Sequence, residues 1–257
     1  MSNSPLVSYT KLSPNHSGKR KHAIDTISIH CMAGNLSVER CGELFQSKER
    51  QASSNYGIGS DGRIALYVDE GNRSWCTSSS SNDNRAVTIE VANTVAKDPW
   101  PVSDAAYKSL IDLLADICRR NGIPKLLWKG DKSLIGKVDQ QNMTVHRWFA
   151  NKSCPGDWLY SRHGQIAAEV NKKLAAAKAG EEEDTMDQAT FDKMMDNWLQ
   201  RQSEEAPADW SQEARTWAEE NGIINGNGKG QKMYRSFCTR EQMAVILHRI
   251  VKQLSQK

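Results

Sequence analysis

The chain has 257 residues, 25% of them charged, with 34 Lys and Arg against 31 Asp and Glu for a formal charge of +3. So small an excess excludes the basic footprint of a nucleic-acid binder, and no run approaches the roughly 18 apolar residues of a membrane span. Six cysteines, at 31, 41, 76, 118, 154 and 238, are scattered without a CxxC pair, which argues against a disulfide scaffold and a zinc ribbon.

The opening residues, Met-Ser-Asn-Ser-Pro-Leu-Val, lack the charged, apolar and small-residue regions of a secretory signal, so a cytoplasmic start is expected. Ile27 and Ile29 alternate with Ser28 and His30, the period of a strand. From Ser37 to Lys48 the pattern is helical, with Ser37 as cap and Val38, Cys41, Leu44 and Phe45 as the apolar stripe. Tyr56 to Val68 contains Ser60-Asp61-Gly62 between apolar runs and predicts a hairpin. Val87, Ile89 and Val91 mark another strand. Asp104 to Arg120 is a long amphipathic helix burying Leu110, Leu113, Leu114 and Ile117 and ending at Asn121-Gly122. Short strands are expected at Leu126–Trp128 and Met143–Val145, and a closing helix from Trp158 to Leu174 with Asp157 as cap.

The expected fold class is α/β, a mixed central sheet flanked by helices, over residues 1–178. Lys172 to Gly180 reads as a helix end closed by glycine, and the acidic run Glu181–Asp184 as part of a solvated linker, 179–188. A second, small all-α domain then covers 189–257, with an amphipathic helix at Thr190–Gln202 and a further helical stretch opening at Ala208. In Thr239-Arg240-Glu241-Gln242 a capping box opens the last helix. A domain this small buries little apolar surface, so it is expected to self-associate as a homo-oligomer or to dock on the first domain.

Three residues stand out chemically. His30 and His146 end predicted strands, and Cys154 follows His146 by eight residues in the turn Lys152-Ser153-Cys154-Pro155-Gly156. Two imidazoles and a thiolate suit zinc with a fourth position left for water. Each residue alone fits an ordinary role equally: a hydrogen-bonded strand-end histidine, or a small buried thiol.

Ile27-Ser28-Ile29-His30, Tyr56 to Ile64, Ala86 to Val91, Thr144-Val145-His146 and Lys152 to Gly156 occur in that order. Together they resemble the type 2 N-acetylmuramoyl-L-alanine amidases, the family of phage lytic amidases and peptidoglycan recognition proteins, over about residues 15–175. The resemblance implies a zinc hydrolase that cuts the amide between N-acetylmuramic acid and L-alanine in peptidoglycan with a zinc-activated water. By that match His30, His146 and Cys154 take the Zn2+ ligand positions, Glu90 the proton-transfer position and Lys152 the oxyanion-stabilising one. Ser54 stands where many phage-type members carry a tyrosine, which leaves more of the proton transfer to Glu90. Cys31 replaces what is often a second histidine and is expected to be a buried small residue. Asn15, Asn35, Trp75 and Arg85 fall in loops expected to bracket the cleft: Trp75 to stack on sugar or peptide, Arg85 to pair with a stem-peptide carboxylate. The eight tryptophans, against four phenylalanines, otherwise divide between packing and sugar contact.

The segment 208–252 resembles a single S-layer-homology-like repeat, which implies binding to a secondary cell-wall polymer, with Arg240 as the contact. The combined expectation is an endolysin held in the host cytoplasm and acting on the wall after release. Alternatives are a cytosolic amidase that recycles muropeptides and a peptidoglycan-binding protein without catalysis. Three successive glutamate codons before Met186 could form a ribosome-binding site, so an internal start there is expected to give a free C-terminal domain. Asn227 to Gly230 reads as a flexible turn.

Overall fold

A computed structural model describes residues 3–184, 187–227 and 230–255. Two compact units divide the chain, Met1–Gly180 and Glu181–Lys257. Met186, with its expected internal start, and Gly228 and Lys229 of the expected turn lie outside the described residues.

The first unit is built on eight strands: β1 Tyr9–Thr10, β2 His16–Lys19, β3 Thr26–Cys31, β4 Tyr56–Ile58, β5 Ile64–Leu66, β6 Asn72–Ser74, β7 Ala86–Val91 and β8 Met143–Thr144. Six of them form a mixed sheet in the order β1-β5-β4-β7-β3-β8, in which only the β4–β5 hairpin is antiparallel. β2 and β6 make a separate antiparallel pair. The central strands β3 and β7 are covered on both sides, so Ser28, His30 and Thr88 are as deeply buried as Ile27, Ile29 and Val87. This is how a parallel pair in mid-sheet behaves.

Helices α1 (Val38–Leu44), α2 (Ser80–Arg85), α3 (Asp104–Arg120) and α4 (Asp157–Asp184) complete the unit. The Ser37 side chain caps α1 by accepting from the Arg40 amide, and Ser103 caps α3 through Ala106. Leu110, Leu113, Leu114 and Ile117 of α3 and Leu159, Ile166 and Val170 of α4 pack with Ile27, Ile29, Val87 and Ile89 in one core. Val38 and Cys41 of α1 and Phe45, which caps its end, close over Ala65 and Tyr67 in a second.

Three local expectations are corrected. Leu126–Trp128 is not a strand, because side-chain amides replace a ladder: the amides of Leu126 and Leu127 donate to Asn171 and Asn142, and that of Lys129 to Gln141. Asp157 is the first residue of α4 rather than its cap. That helix also runs through Gly180 to Asp184. One glycine costs a helix only about 1 kcal/mol, and the surrounding Ala, Lys and Glu are strong helix formers.

The second unit holds α5 (Gln188–Glu204), α6 (Gln212–Glu220) and α7 (Arg240–Leu254). Thr239 and Gln242 form the expected capping box at the start of α7. Among its described residues only Ala218 and Ile223 are buried hydrophobics, and α5 and α7 bury none. A cleft of about 590 Å³ is lined by Ile223, Asn225, Tyr234, Phe237, Gln242 and Arg249. No helix of the described residues is long and apolar enough to cross a membrane.

Candidate metal and catalytic site

Parallel pairing brings the candidate residues to one end of the sheet. His30 and Glu90 are register partners on β3 and β7, near the carboxyl ends of both strands. β8 runs parallel to β3, so the chain leaving Thr144 delivers His146 to the same edge. In open sheets of this kind ligands bind beyond the carboxyl ends of the strands.

His30, His146 and Cys154 present ligand atoms that all lie within 4.8 Å of one another. Sγ of Cys154 is 3.3 Å from Nδ1 of His30, and the two imidazole centroids are 5.2 Å apart. Burial, reinforced by the nearby His146 and His163, holds the His30 imidazole well below its ordinary range. Burial and then the Lys152 ammonium lower His146. Both rings are therefore neutral at neutral pH, the form that offers lone pairs. A hydrogen bond with Cys31, then burial, pushes the Cys154 thiol well above its usual range, so its ionisation calls for a cation beside it. Two neutral nitrogens and a sulfur at this spacing fit a tetrahedral N/S metal site with one open position.

Glu90 adjoins this set, since His30, Cys76 and Glu90 also present atoms within 4.8 Å of one another. Cys76 Sγ lies 3.9 Å from Oε1 of Glu90, and Oε2 is buried with no hydrogen-bond partner among the described residues. Burial, with the Cys31 thiol next in effect, raises the Glu90 carboxyl well above its ordinary range. A carboxyl shifted by burial towards the working pH is suited to general acid–base work. Lys152 is exposed on the loop that leads to Cys154.

The remaining expected contacts divide. Asn35 lies in the loop that follows β3 and accepts from the Ser60 hydroxyl at 2.7 Å. The Trp75 indole N–H donates to Ser17 Oγ at 2.7 Å, which ties that ring to β2. Arg85 is engaged by Asp25 through two bonds, at 3.0 and 2.5 Å. It precedes β7 at its amino end, and about 13 Å of strand separates Ala86 from Glu90. Asn15 is buried and donates to the carbonyls of Phe45, Ser47 and Ala52, so it staples loops instead of lining a cleft. Ser54 is fully buried and donates to the Tyr56 carbonyl. In the second unit Arg240 is exposed at the first position of α7, next to the cleft residues Glu241 and Gln242.

Several neighbours were not singled out by sequence reasoning. Arg147 clamps the Cys154 loop: its amide donates to the Cys154 carbonyl at 3.1 Å and its guanidinium to Ser153 O and Asp157 Oδ1, over the Tyr160 ring. Its place directly after His146 was the available signal. Ser78 Oγ lies 3.1 Å from His146 Nε2, and Ser28 Oγ 3.0 Å from His30 Nε2. Trp128 and Trp148 stack at 5.1 Å with planes 4° apart, which assigns those two indoles to packing.

Set against known proteins, the chain matches the N-acetylmuramoyl-L-alanine amidase family profile over residues 20–157, more than half its length. It belongs to that family, whose chemistry is hydrolysis of an amide in peptidoglycan. Among solved structures, the Staphylococcus aureus hydrolase AmiA in complex with its ligand superposes with a TM-score of 0.52 at 12% identity, over 66% of this chain and 84% of that one. The Clostridium intestinale endolysin LysCS gives 0.43 at 17% identity, over 64% and 97%. The Drosophila peptidoglycan recognition protein PGRP-SA gives 0.43 at 21%, over 60% and 88%. The likeness to AmiA is one of fold. A comparison with curated protein sequences gives no match.

Proposed function

We propose that this amidase is a zinc-dependent endolysin that cuts the bond between N-acetylmuramic acid and L-alanine. The observation that carries the reading is the meeting of His30, His146 and Cys154 beside Glu90 at one sheet edge. Zinc held by those three residues supplies a Lewis acid and acidifies water. Glu90, buried and adjacent to His30, takes the proton of the attacking water and returns it to the departing amine, which otherwise leaves as a very poor anion. Lys152 brings a positive charge to the oxygen of the tetrahedral intermediate. Asn35 and Trp75 are the substrate contacts this reading retains. The half-buried ion pair with Asp25 favours a structural role for Arg85 instead.

The helical unit is proposed to bind a secondary cell-wall polymer, as an S-layer-homology-like module, with Arg240 at the rim of the cleft. The exposed apolar residues of α5 and α7, among them Met194, Trp198, Leu247 and Val251, support association of this unit between copies. The proposed site of action is the wall, reached from the host cytoplasm after release, in a bacteriophage lytic role.

Digestion of purified cell walls with and without chelator, followed by mass spectrometry of the products, tests the reading. Zinc-dependent release of peptides with a free L-alanine amine is expected. Cleavage of soluble muropeptides with intact walls left uncut would replace lysis by recycling, and no cleavage of either would leave a binding protein. Light scattering on the eluting full-length chain reads its association.

A further inference from the structure

His30 has two ring nitrogens in different company. Nδ1 faces Cys154 Sγ at 3.3 Å, and Nε2 faces Ser28 Oγ at 3.0 Å. A neutral imidazole carries one proton, and the partner of one nitrogen decides what the other offers. The Ser28 hydroxyl has a single proton, and its Oγ also lies 3.3 Å from the carbonyl oxygen of Thr144, a group that only accepts. With that proton directed at Thr144, Ser28 meets the imidazole as an acceptor. Nε2 must then donate, and the lone pair falls on Nδ1, the atom turned towards Cys154.

The fold holds this chain of bonds in place. Ser28 precedes His30 by two residues on β3, so their side chains share a face. Thr144 is the register partner of Ser28 on β8. Ser28 and His30 are both 0% exposed, so bulk water does not compete for Nε2. A strand buried on both faces has no packing need for a hydroxyl at position 28, and an apolar residue there would leave Nε2–H without a partner.

We propose that Ser28 is a positioning residue that fixes the His30 tautomer, with Nε2 protonated and Nδ1 free to bind the metal. The proposal rests on the zinc reading above for its purpose, but the tautomer itself is a property of the metal-free chain. Outer partners of this kind typically change metal affinity by about 10- to 100-fold.

Two measurements on the full-length protein test it. Nitrogen-15 histidine spectra of the metal-free wild type should show His30 protonated at Nε2; protonation at Nδ1 overturns the proposal, whatever any variant does. Zinc affinity, read by competition with a chromophoric chelator, should fall about 10- to 100-fold in Ser28→Ala and recover in Ser28→Thr, which keeps the hydroxyl. Equal affinity in Ser28→Ala and wild type also overturns it. A wild type that takes up no zinc defeats the metal reading instead, and the nitrogen-15 spectrum still decides the tautomer.

Discussion

Sγ of Cys154 stands 3.3 Å from Nδ1 of His30, across 124 residues of chain. The contact exists because β8 pairs with β3 and Arg147 folds the following loop back over the strand ends. The site therefore depends on packing to bring together side chains from distant segments of the chain.

Chelation is expected to stop wall hydrolysis, and added zinc to restore it. His30→Ala and Cys154→Ala should each lose both bound metal and clearing, read by elemental analysis and turbidity. A variant that clears walls at the wild-type rate without metal would remove zinc from the mechanism.

Glu90→Gln should lower kcat by about 10²- to 10⁴-fold with metal content unchanged, the usual range for a lost general acid–base group. The sign for stability is opposite. Burial raises the carboxyl well above its ordinary range, so its ionisation opposes folding as pH rises past the unfolded value of 4.5. Calorimetry at neutral pH should accordingly find Glu90→Gln with a Tm at or above that of wild type.

The His163 ring is fully buried, with Nδ1 on the Leu159 carbonyl and Trp128 4.5 Å away, and burial pushes its pKa from 6.5 down to about 4. Below pH 6.5 the unfolded chain takes up a proton that the folded chain refuses. Stability should be unaffected by this group above 6.5 and fall between there and about 4, by roughly 3 kcal/mol in all. Urea titrations across that window should show the decline, and a His163→Gln variant should flatten it.

Gly57→Ala should destabilise the amidase unit. A Cβ at Gly57 would press into the ring of Tyr67, which is fully buried and donates its hydroxyl hydrogen to the Val38 carbonyl. Overpacking of this sort costs about 1–3 kcal/mol, and chemical denaturation measures it. Because Gly57 is the register partner of Glu90, the displaced strand should also lower kcat.

Much of the secondary structure was legible because it is local. The alternation at Ile27 and Ile29, the Ser60-Asp61-Gly62 turn and the α3 stripe each carry their signal within a few residues. Leu126–Trp128 misled because its apolar run resembles a strand while its backbone is satisfied by Asn171, Asn142 and Gln141. The long-range partners were equally invisible: Asn15 meets the Ser47 carbonyl and Arg85 meets Asp25.

Periodicity and residue type alone determined β3, the β4–β5 hairpin, β7, the long helices and the order of the chemical motifs, but not the short β1, β2, β6 and α2, since hydrophobic spacing and capping act over one or two turns of chain. The tertiary structure decided which atoms meet: Arg85 with Asp25, Ser28 with the far nitrogen of His30, Cys76 with Glu90. Those pairings come from strand register and loop closure across distant segments, where a displacement of one residue turns a side chain to the other face of the sheet.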